Sequence, residues 1–432
     1  MNVREVRADF PALDPGRVGG PWVYLDSACM SLVPRPVLEA MQRYYTDFPG
    51  CAGRSVHRLS EEVGRRYEAA RERFARFFGR RESGSVVFLR NATEAINLVA
   101  QGTDWKRGER VLISDREHNS NLVVWQKLSE ERGIHVDILS LSEDGAFDSE
   151  RLEEALARGV RLVSLFHTSN LDGRTLPLAE ITERAHDRGA KVLFDGCQAA
   201  PHLRLELDRL GVDHYAVSAH KLLGPNGVGT LLSAPGALEE LRPLLFGGET
   251  VEHTTLTGHR LRPPPHRFEA GLQNYSGVLG AHAALDYLER VGLEEIEERQ
   301  RSVNALVSRA LRDERRVRLL GPSDPAERPS IFACTLEGID VHDAALFLDE
   351  ARQVMVRSGR HCVHSFYEAR GLAGSLRASF YLYNDDADGQ ALVDGLVELL
   401  ERVPPGAASG TSAARSAPAP PRDAAPRSGA GS

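Results

Sequence analysis

At 432 residues with 42% hydrophobic side chains, the chain exceeds one typical core and predicts two packed regions able to bury a deep site. Its formal charge of −8, with no long basic run in the folded part, argues against nucleic acid as the main partner and favours small molecules or proteins. Five cysteines, odd in number and without metal spacing, fit a reducing compartment rather than a disulfide framework. With no apolar signal core at the start and no uninterrupted apolar run of bilayer length, the expectation is a soluble, cytoplasmic protein without membrane contact or bound metal.

In chain order, residues 1 to 50 form an N-terminal segment expected to pack beside a small C-terminal region. From about residue 86, short β-branched runs alternate with longer amphipathic stretches, which predicts β-α-β units and a mostly parallel sheet flanked by helices. The predicted strands are 86–89, 110–114, 135–140, 161–166, 190–194, 213–217 and 227–232, with helices near 93–101, 119–132, 149–157 and 177–188. These define a large domain over 51–290. A helix pair near 276–313 leads into a smaller α+β domain over 291–402, with strands near 330–336, 353–357 and 376–382 and a last helix from about 385 to 402. Residues 403–432 are Pro, Ala, Ser, Gly and Arg with hardly any large apolar group, so they cannot offset the entropy of ordering and are predicted to be disordered.

Ligands of open α/β sheets bind beyond the carboxyl ends of the strands, so the residues just after each predicted strand are the candidates for chemistry. After 86–89 stands Arg90-Asn91-Ala92-Thr93-Glu94, where Asn91 and Glu94 have capping-box spacing; the helix start and the Thr93 hydroxyl form a candidate phosphate cradle. An ordinary N-cap is the competing reading. After 110–114, Glu117-His118 supplies an imidazole, and after 161–166, His167-Thr168-Ser169-Asn170 supplies an amide. Asp195 closes the next strand, where a carboxylate is costly unless a cation such as a protonated pyridine meets it, and Gln198 follows three residues on. After 213–217 come Ser218, His220 and Lys221.

Lys221 is one of only Lys106, Lys127, Lys191 and Lys221 among 53 basic residues. A chain that writes arginine for plain positive charge retains lysine where an amine must lose its proton and add to a carbonyl, which makes Lys221 a candidate Schiff-base lysine. Amine, carboxylate, imidazole and phosphate cradle at one sheet edge together describe a pyridoxal 5'-phosphate site.

The chain resembles the cysteine desulfurases within the class V aminotransferases, of the fold-type I pyridoxal phosphate enzymes, over roughly residues 22 to 402. The marks are Tyr24-Leu25-Asp26-Ser27-Ala28, Arg90-Asn91-Ala92-Thr93-Glu94, Glu117-His118, Asp195-Gly196-Cys197-Gln198, Ser218-Ala219-His220-Lys221, Arg267-Phe268-Glu269-Ala270-Gly271, Arg357-Ser358-Gly359-Arg360-His361-Cys362 and Arg377-Ala378-Ser379. The resemblance implies that Lys221 holds the cofactor, Asp195 pairs with the pyridinium and Gln198 meets the ring oxygen. It further implies that Thr93, Ser218 and His220 hold the phosphate, that His118 stacks on the ring and moves protons, and that the protein is a homodimer with sites at the subunit boundary.

Cys362 looks like the catalytic cysteine of the desulfurases that carry it on a short Arg-x-Gly-x-His-Cys segment, and nearby arginine and histidine favour the thiolate it needs. Arg377 is implied to grip a substrate carboxylate, with Asn170 assigned beside it as substrate-binding. The implied reaction converts L-cysteine, or a similar small amino acid, to alanine with a persulfide left on Cys362 for a protein or small-molecule acceptor. Three positions depart from the family pattern: Leu272, where relatives usually have threonine; Arg360, where histidine is common; and Ala92, beside the phosphate loop. The same scaffold also supports transamination, epimerisation, selenocysteine cleavage and other carbon–sulfur cleavage, so another reaction of this class and a non-catalytic cofactor-binding scaffold stay open as alternatives.

Overall fold

The computed structural model describes residues 2–404, except 15, 17–19 and 21; from residue 405 on, the tail predicted to be disordered lies outside the described residues. The large region is built on a seven-stranded sheet. Its strands are β1 (Val86–Leu89), β2 (Arg110–Ser114), β3 (His135–Leu139), β4 (Val160–Phe166), β5 (Lys191–Asp195), β6 (His214–Ser218) and β7 (Gly229–Ser233). Their spatial order is β1-β7-β6-β5-β4-β2-β3, and every pairing is parallel except the two made by β7. Strand order therefore reverses between β4 and β2, so the carboxyl ends of β2, β4, β5 and β6 open along one edge.

These strands form because both faces are covered. Phe194, Val192 and Val163 pack into one apolar cluster, and Leu193, Val111 and Ile113 into another. Each such fully buried side chain contributes about 1.5–3 kcal/mol. Continuous apolar runs, rather than alternating ones, are what a sheet buried on both faces requires.

Two long helices were not among the sequence expectations, Arg35–Asp47 and Arg58–Phe77. In the second, Val63, Tyr67, Ala70 and Phe74 follow helical spacing and are buried, although arginine and glutamate dominate the rest of its surface. A short antiparallel hairpin, Val251–Thr254 with His259–Leu261, also went unforeseen.

The smaller region carries β8 (Val317–Leu319), β9 (Ile331–Leu336), β10 (Arg357–Gly359) and β11 (Ser375–Ser379), antiparallel in the order β8-β9-β11-β10. The single strand expected at 353–357 is two pieces. Val354–Met355 pairs in parallel with Val23–Tyr24, and Arg357–Gly359 turns into the other sheet against β11. The N-terminal segment is thus hydrogen-bonded to this region through Val23–Tyr24 and through the bridge between Asp26 and Ser379. Among the described residues no helix is long and apolar enough to cross a membrane, and no cluster of His, Cys, Asp and Glu could hold a metal ion.

Candidate active site

The helix after β1, Ala92–Gly102, starts as a cradle. Asn91 accepts the Glu94 N–H at 3.0 Å, whereas the Glu94 carboxylate reaches the Arg90 N–H at 2.7 Å rather than that of Asn91, so the expected capping box is one residue out of register. The Ala92 N–H donates to Ser218 Oγ at 2.8 Å, and Thr93 exchanges a 2.7 Å hydrogen bond with Ser120. Between those two satisfied amides the Thr93 N–H has no partner among the described residues, at the positive end of the helix dipole. Gly229 lets β7 approach this turn, since a Cβ there would stand 2.4 Å from the Asn91 Cα. Thr93 and Ser218 thus meet at the start of this helix, and His220 follows Ser218 on the turn Ala219–Lys221.

Asp195 ends β5 with a buried carboxylate that accepts the Cys197 N–H at 3.0 Å and makes no ion pair among the described residues. Gly196 beside it lies against the Tyr215 ring, where a Cβ would come within 2.0 Å. The Tyr215 hydroxyl is held by His167 Nδ1 at 2.8 Å, and burial pushes that imidazole down to about 3, so it is neutral. Gln198 turns back and donates from Nε2 to the Ala28 carbonyl at 2.8 Å. Lys221, on the turn Ala219–Lys221, has no carboxylate partner among the described residues and borders a small cleft with Ser27, Ala28, Gln198 and Ser379.

His118 follows β2. Burial foremost, and then the charge of Lys221, pushes its imidazole down to about 4, while the charges of Asp195, Arg357 and Arg377 also bear on the ring. Its Nδ1 accepts the Ser120 N–H at 3.1 Å, so the proton of the neutral ring sits on Nε2. Ser120 links the two candidate functions, touching both His118 and Thr93. Sequence reasoning passed over it, although a hydroxyl two residues after a candidate histidine is a usable signal. His220 is likewise pushed down to about 4, by burial first and Lys221 second. Next to His118, Glu117 is wholly buried and burial raises it to about 8 against hydrogen bonds from Ser114, Asn121 and the Phe166 N–H.

The small region supplies the other wall. Arg377, fully buried on β11, donates to the Asn170 carbonyl at 2.8 Å and to Asp26 Oδ1 at 3.1 Å, while its Nε has no partner among the described residues. Asn170 in turn donates from Nδ2 to the His361 carbonyl at 2.8 Å. Cys362 follows, half-buried, with its Sγ 3.6 Å from the Arg357 guanidinium and its carbonyl accepting the Asn119 N–H at 2.7 Å. His361 and Cys362 both have positive φ, 48° and 61°, an uncommon backbone for non-glycine residues. His361 is neutral, pushed down to about 2 by burial first and then by Arg377 and Arg357.

The candidate catalytic, cofactor-binding and substrate-binding residues therefore all follow strand ends of the large sheet or lie in the small region that meets them, whereas Leu272 lies apart and exposed. Asp26 and Arg357 join them without having been assigned a role. The arrangement offers an amine and a buried carboxylate without ion-pair partners among the described residues and a helix start with an open amide, the donor set that a phosphorylated, cationic aromatic aldehyde requires.

The family model for aminotransferase class-V matches residues 23–392. The chain is 34% identical over 403 residues to the cysteine desulfurase of Cronobacter sakazakii, covering 92% of this chain and 98% of that one. Among solved structures it is similar to the apo cysteine desulfurase of Thermococcus onnurineus, with a TM-score of 0.88, 33% identity and coverage of 92% and 98%. It is also similar to the cysteine desulfurase CsdA of Escherichia coli, with a TM-score of 0.85, 33% identity and coverage of 93% and 99%.

Proposed function

The chain belongs to the class-V aminotransferase family, and on that footing we propose that it is a pyridoxal 5'-phosphate-dependent cysteine desulfurase. It converts L-cysteine to L-alanine and leaves the sulfur on Cys362 for a protein or small-molecule acceptor. The observation that carries this reading is the Cys362 thiol, 3.6 Å from the Arg357 guanidinium, whose charge, like that of Lys221, bears on His118; Lys221 has no carboxylate partner among the described residues.

In this reading Lys221 holds the cofactor through Nζ, Asp195 faces its ring nitrogen, and Gln198 is near its ring oxygen. Thr93, Ser218, His220 and the open Thr93 amide take the phosphate. The fit is supported by Asp195, a buried anion still needing a cation. When bound, pyridoxal phosphate supplies a cationic ring that draws electron density from the α-carbon of an attached amino acid. Neutral His118 can stack on that ring without repelling its charge, and its Nε2–H can move a proton. Arg377 and Asn170 orient the substrate carboxylate, and Lys221 Nζ, once released, takes the α-proton. The Cys362 thiolate attacks the substrate sulfur; an S–S bond forms, the carbon–sulfur bond breaks with its electron pair left on carbon, and the fragment becomes alanine by taking a proton at the β-carbon and regaining one at the α-carbon from Lys221 Nζ.

We also read the protein as a cytoplasmic homodimer, with an N-terminal segment over 1–50, a cofactor domain over 51–290 and a small domain over 291–402. Exposed Leu245, Phe246, Leu256 and Leu272 around the 251–261 hairpin support a face for a second copy. A different reaction of this class on a small amino acid draws support from Leu272, 58% exposed where relatives usually carry threonine. One experiment separates the two readings. Cys362→Ser should keep a borohydride-reducible cofactor on Lys221 yet form no alanine from cysteine; undiminished alanine would remove the persulfide role.

A further inference from the structure

The small cleft beside Lys221 has a polar part that the reaction above does not use. His202, Gln300 and Ser330 line it together with Lys221, Gln198 and Ala28. All three are more than nine-tenths buried, at 2%, 2% and 6% exposure. Each nevertheless carries a side-chain atom without a hydrogen-bond partner among the described residues: His202 Nε2, Gln300 Oε1 and Ser330 Oγ. Arginine nitrogens aside, six buried side-chain atoms among the described residues are in that condition, and three of the six belong to this one cleft. Proteins seldom bury a polar atom unpaired, so such a concentration around a cavity points to an ordered water.

The walls tie these residues together. Gln300 Nε2 donates to the Phe380 carbonyl at 2.9 Å, which leaves Oε1 as its free end, and the Phe380 N–H donates to the Ser330 carbonyl at 2.9 Å. On one side of Phe380, the Tyr381 hydroxyl donates at 3.3 Å to the carbonyl of Pro201, the residue before His202; on the other, Ser379 Oγ accepts the Ala28 N–H at 2.9 Å. Three consecutive residues, whose Cα atoms span about 7 Å at most, thus reach Gln300, Ser330, the turn of His202 and the Ala28 turn that Gln198 binds. The cavity has a volume of about 20 Å³, enough for an ordered water and far below the roughly 300 Å³ of a small-ligand pocket. Its chemistry suits water as well. Gln300 Oε1 only accepts, Ser330 Oγ donates and accepts, and His202, neutral because burial pushes it down to about 4, offers a donor or an acceptor at Nε2.

We propose that His202, Gln300 and Ser330 hold an ordered water in this cleft, and that this water exchanges protons with Lys221 Nζ during turnover. This rests on the desulfurase reading, in which Nζ takes the α-proton of the substrate. The resulting ammonium gives one of its three protons to the water and takes another back. One N–H and one O–H bond break and one of each forms, so the charge on Nζ is unchanged and no oxidant or reductant is consumed. The proton that Nζ returns to the α-carbon therefore comes from solvent through this water rather than from the substrate. The three side chains act as positioning residues, and Lys221 remains the base.

The test is turnover of α-deuterated L-cysteine in ordinary water by the full-length holoenzyme, with deuterium at the α-carbon of the alanine read by mass spectrometry, beside a crystal structure of the same protein. Alanine from the wild type should carry almost no α-deuterium. From Ser330→Ala and from His202→Phe it should carry severalfold more, up to about a third, the share of one deuteron among the three hydrogens of the ammonium. The label per alanine does not depend on how much enzyme is folded, so a loss of stability alone leaves it unchanged; Ser330→Ala, moreover, removes only an oxygen that no described residue binds. The crystal should show a water within hydrogen-bond distance of Ser330 Oγ and His202 Nε2. Wild-type alanine that keeps about a third of the label, equal label from the wild type and both variants, or density without that water each overturn the proposal. A wild type that forms no alanine overturns the desulfurase reading instead, and the density then decides whether the water site stands without it.

Discussion

Glu269 offers a sharp test of how the cradle is held in position. Its carboxylate is 4% exposed and accepts four donors: Arg71 at 2.6 and 2.9 Å, the Tyr67 hydroxyl at 3.1 Å and the Phe88 N–H at 2.8 Å. Arg71, 1% exposed, also donates to the Val86 carbonyl, so the pair clamps β1, the strand that leads into Asn91 and Thr93. Glu269→Ala strands a buried guanidinium, which costs about 3–5 kcal/mol, a large part of a typical net stability of about 5–15 kcal/mol. Arg71 has a second partner, Glu68, at a similar 2.9 Å but 47% exposed, and removal of such a pair costs only about 0–1 kcal/mol. The assay is parallel denaturant unfolding of wild type, Glu269→Ala and Glu68→Ala, with affinity for pyridoxal phosphate measured on each. The expected order is a large fall in midpoint and weaker cofactor retention for Glu269→Ala, with Glu68→Ala near wild type. Equal losses in both variants would refute the argument from burial.

Arg377→Lys keeps the charge but loses one of two directed hydrogen bonds worth about 1.5–3 kcal/mol when charge-assisted, so KM for L-cysteine should rise about 10- to 100-fold with a smaller change in kcat; an unchanged KM would remove Arg377 from carboxylate binding. Asp195→Asn should retain the fold but lower turnover by a hundredfold or more, since a breach of a buried ion pair costs about 3–5 kcal/mol, and wild-type turnover would mean that the ring nitrogen lies elsewhere. Stability should fall as pH drops from about 6.5 toward 4, because His167, His202 and His214 are buried and pushed down to about 3, 4 and 4; the unfolded chain binds their protons first, at about 1.4 kcal/mol per pH unit for each. His214→Gln should reduce that slope by about 1.4 kcal/mol per pH unit, and an unchanged slope would show that His214 is already protonated in the fold. Glu117, raised to about 8 by burial, acts in the opposite sense: the unfolded carboxyl has already lost its proton near 4.5, so this group withdraws stability as pH rises from there to about 8.

The strands of the large sheet were legible because each is a short, nearly continuous apolar run, and a residue pattern that is buried on both faces leaves no ambiguity of register. The site followed from one topological rule, since Thr93, His118, Asn170, Asp195 and Lys221 all come directly after such runs. What stayed hidden needed partners distant in sequence. Arg58–Phe77 reads as a charged surface until its Arg71 meets Glu269, 198 positions on, and Val354–Met355 separates from Arg357–Gly359 only because Val23–Tyr24 claims the first piece.

The same distance dependence explains why Asp26 and Arg357 went unassigned. Read locally, Asp26 is a carboxylate in a turn and Arg357 one arginine among many. Their meaning comes from β11, which sets Arg377 between them and faces the pair toward Lys221 and His118. Burial raises the Asp26 carboxyl, and Arg377 pulls it back. A substrate carboxylate that binds Arg377 must therefore compete with Asp26 for the same guanidinium. Occupancy of the substrate site and the pairing of Asp26 are in this way joined through one guanidinium, which no local sequence window could have expressed.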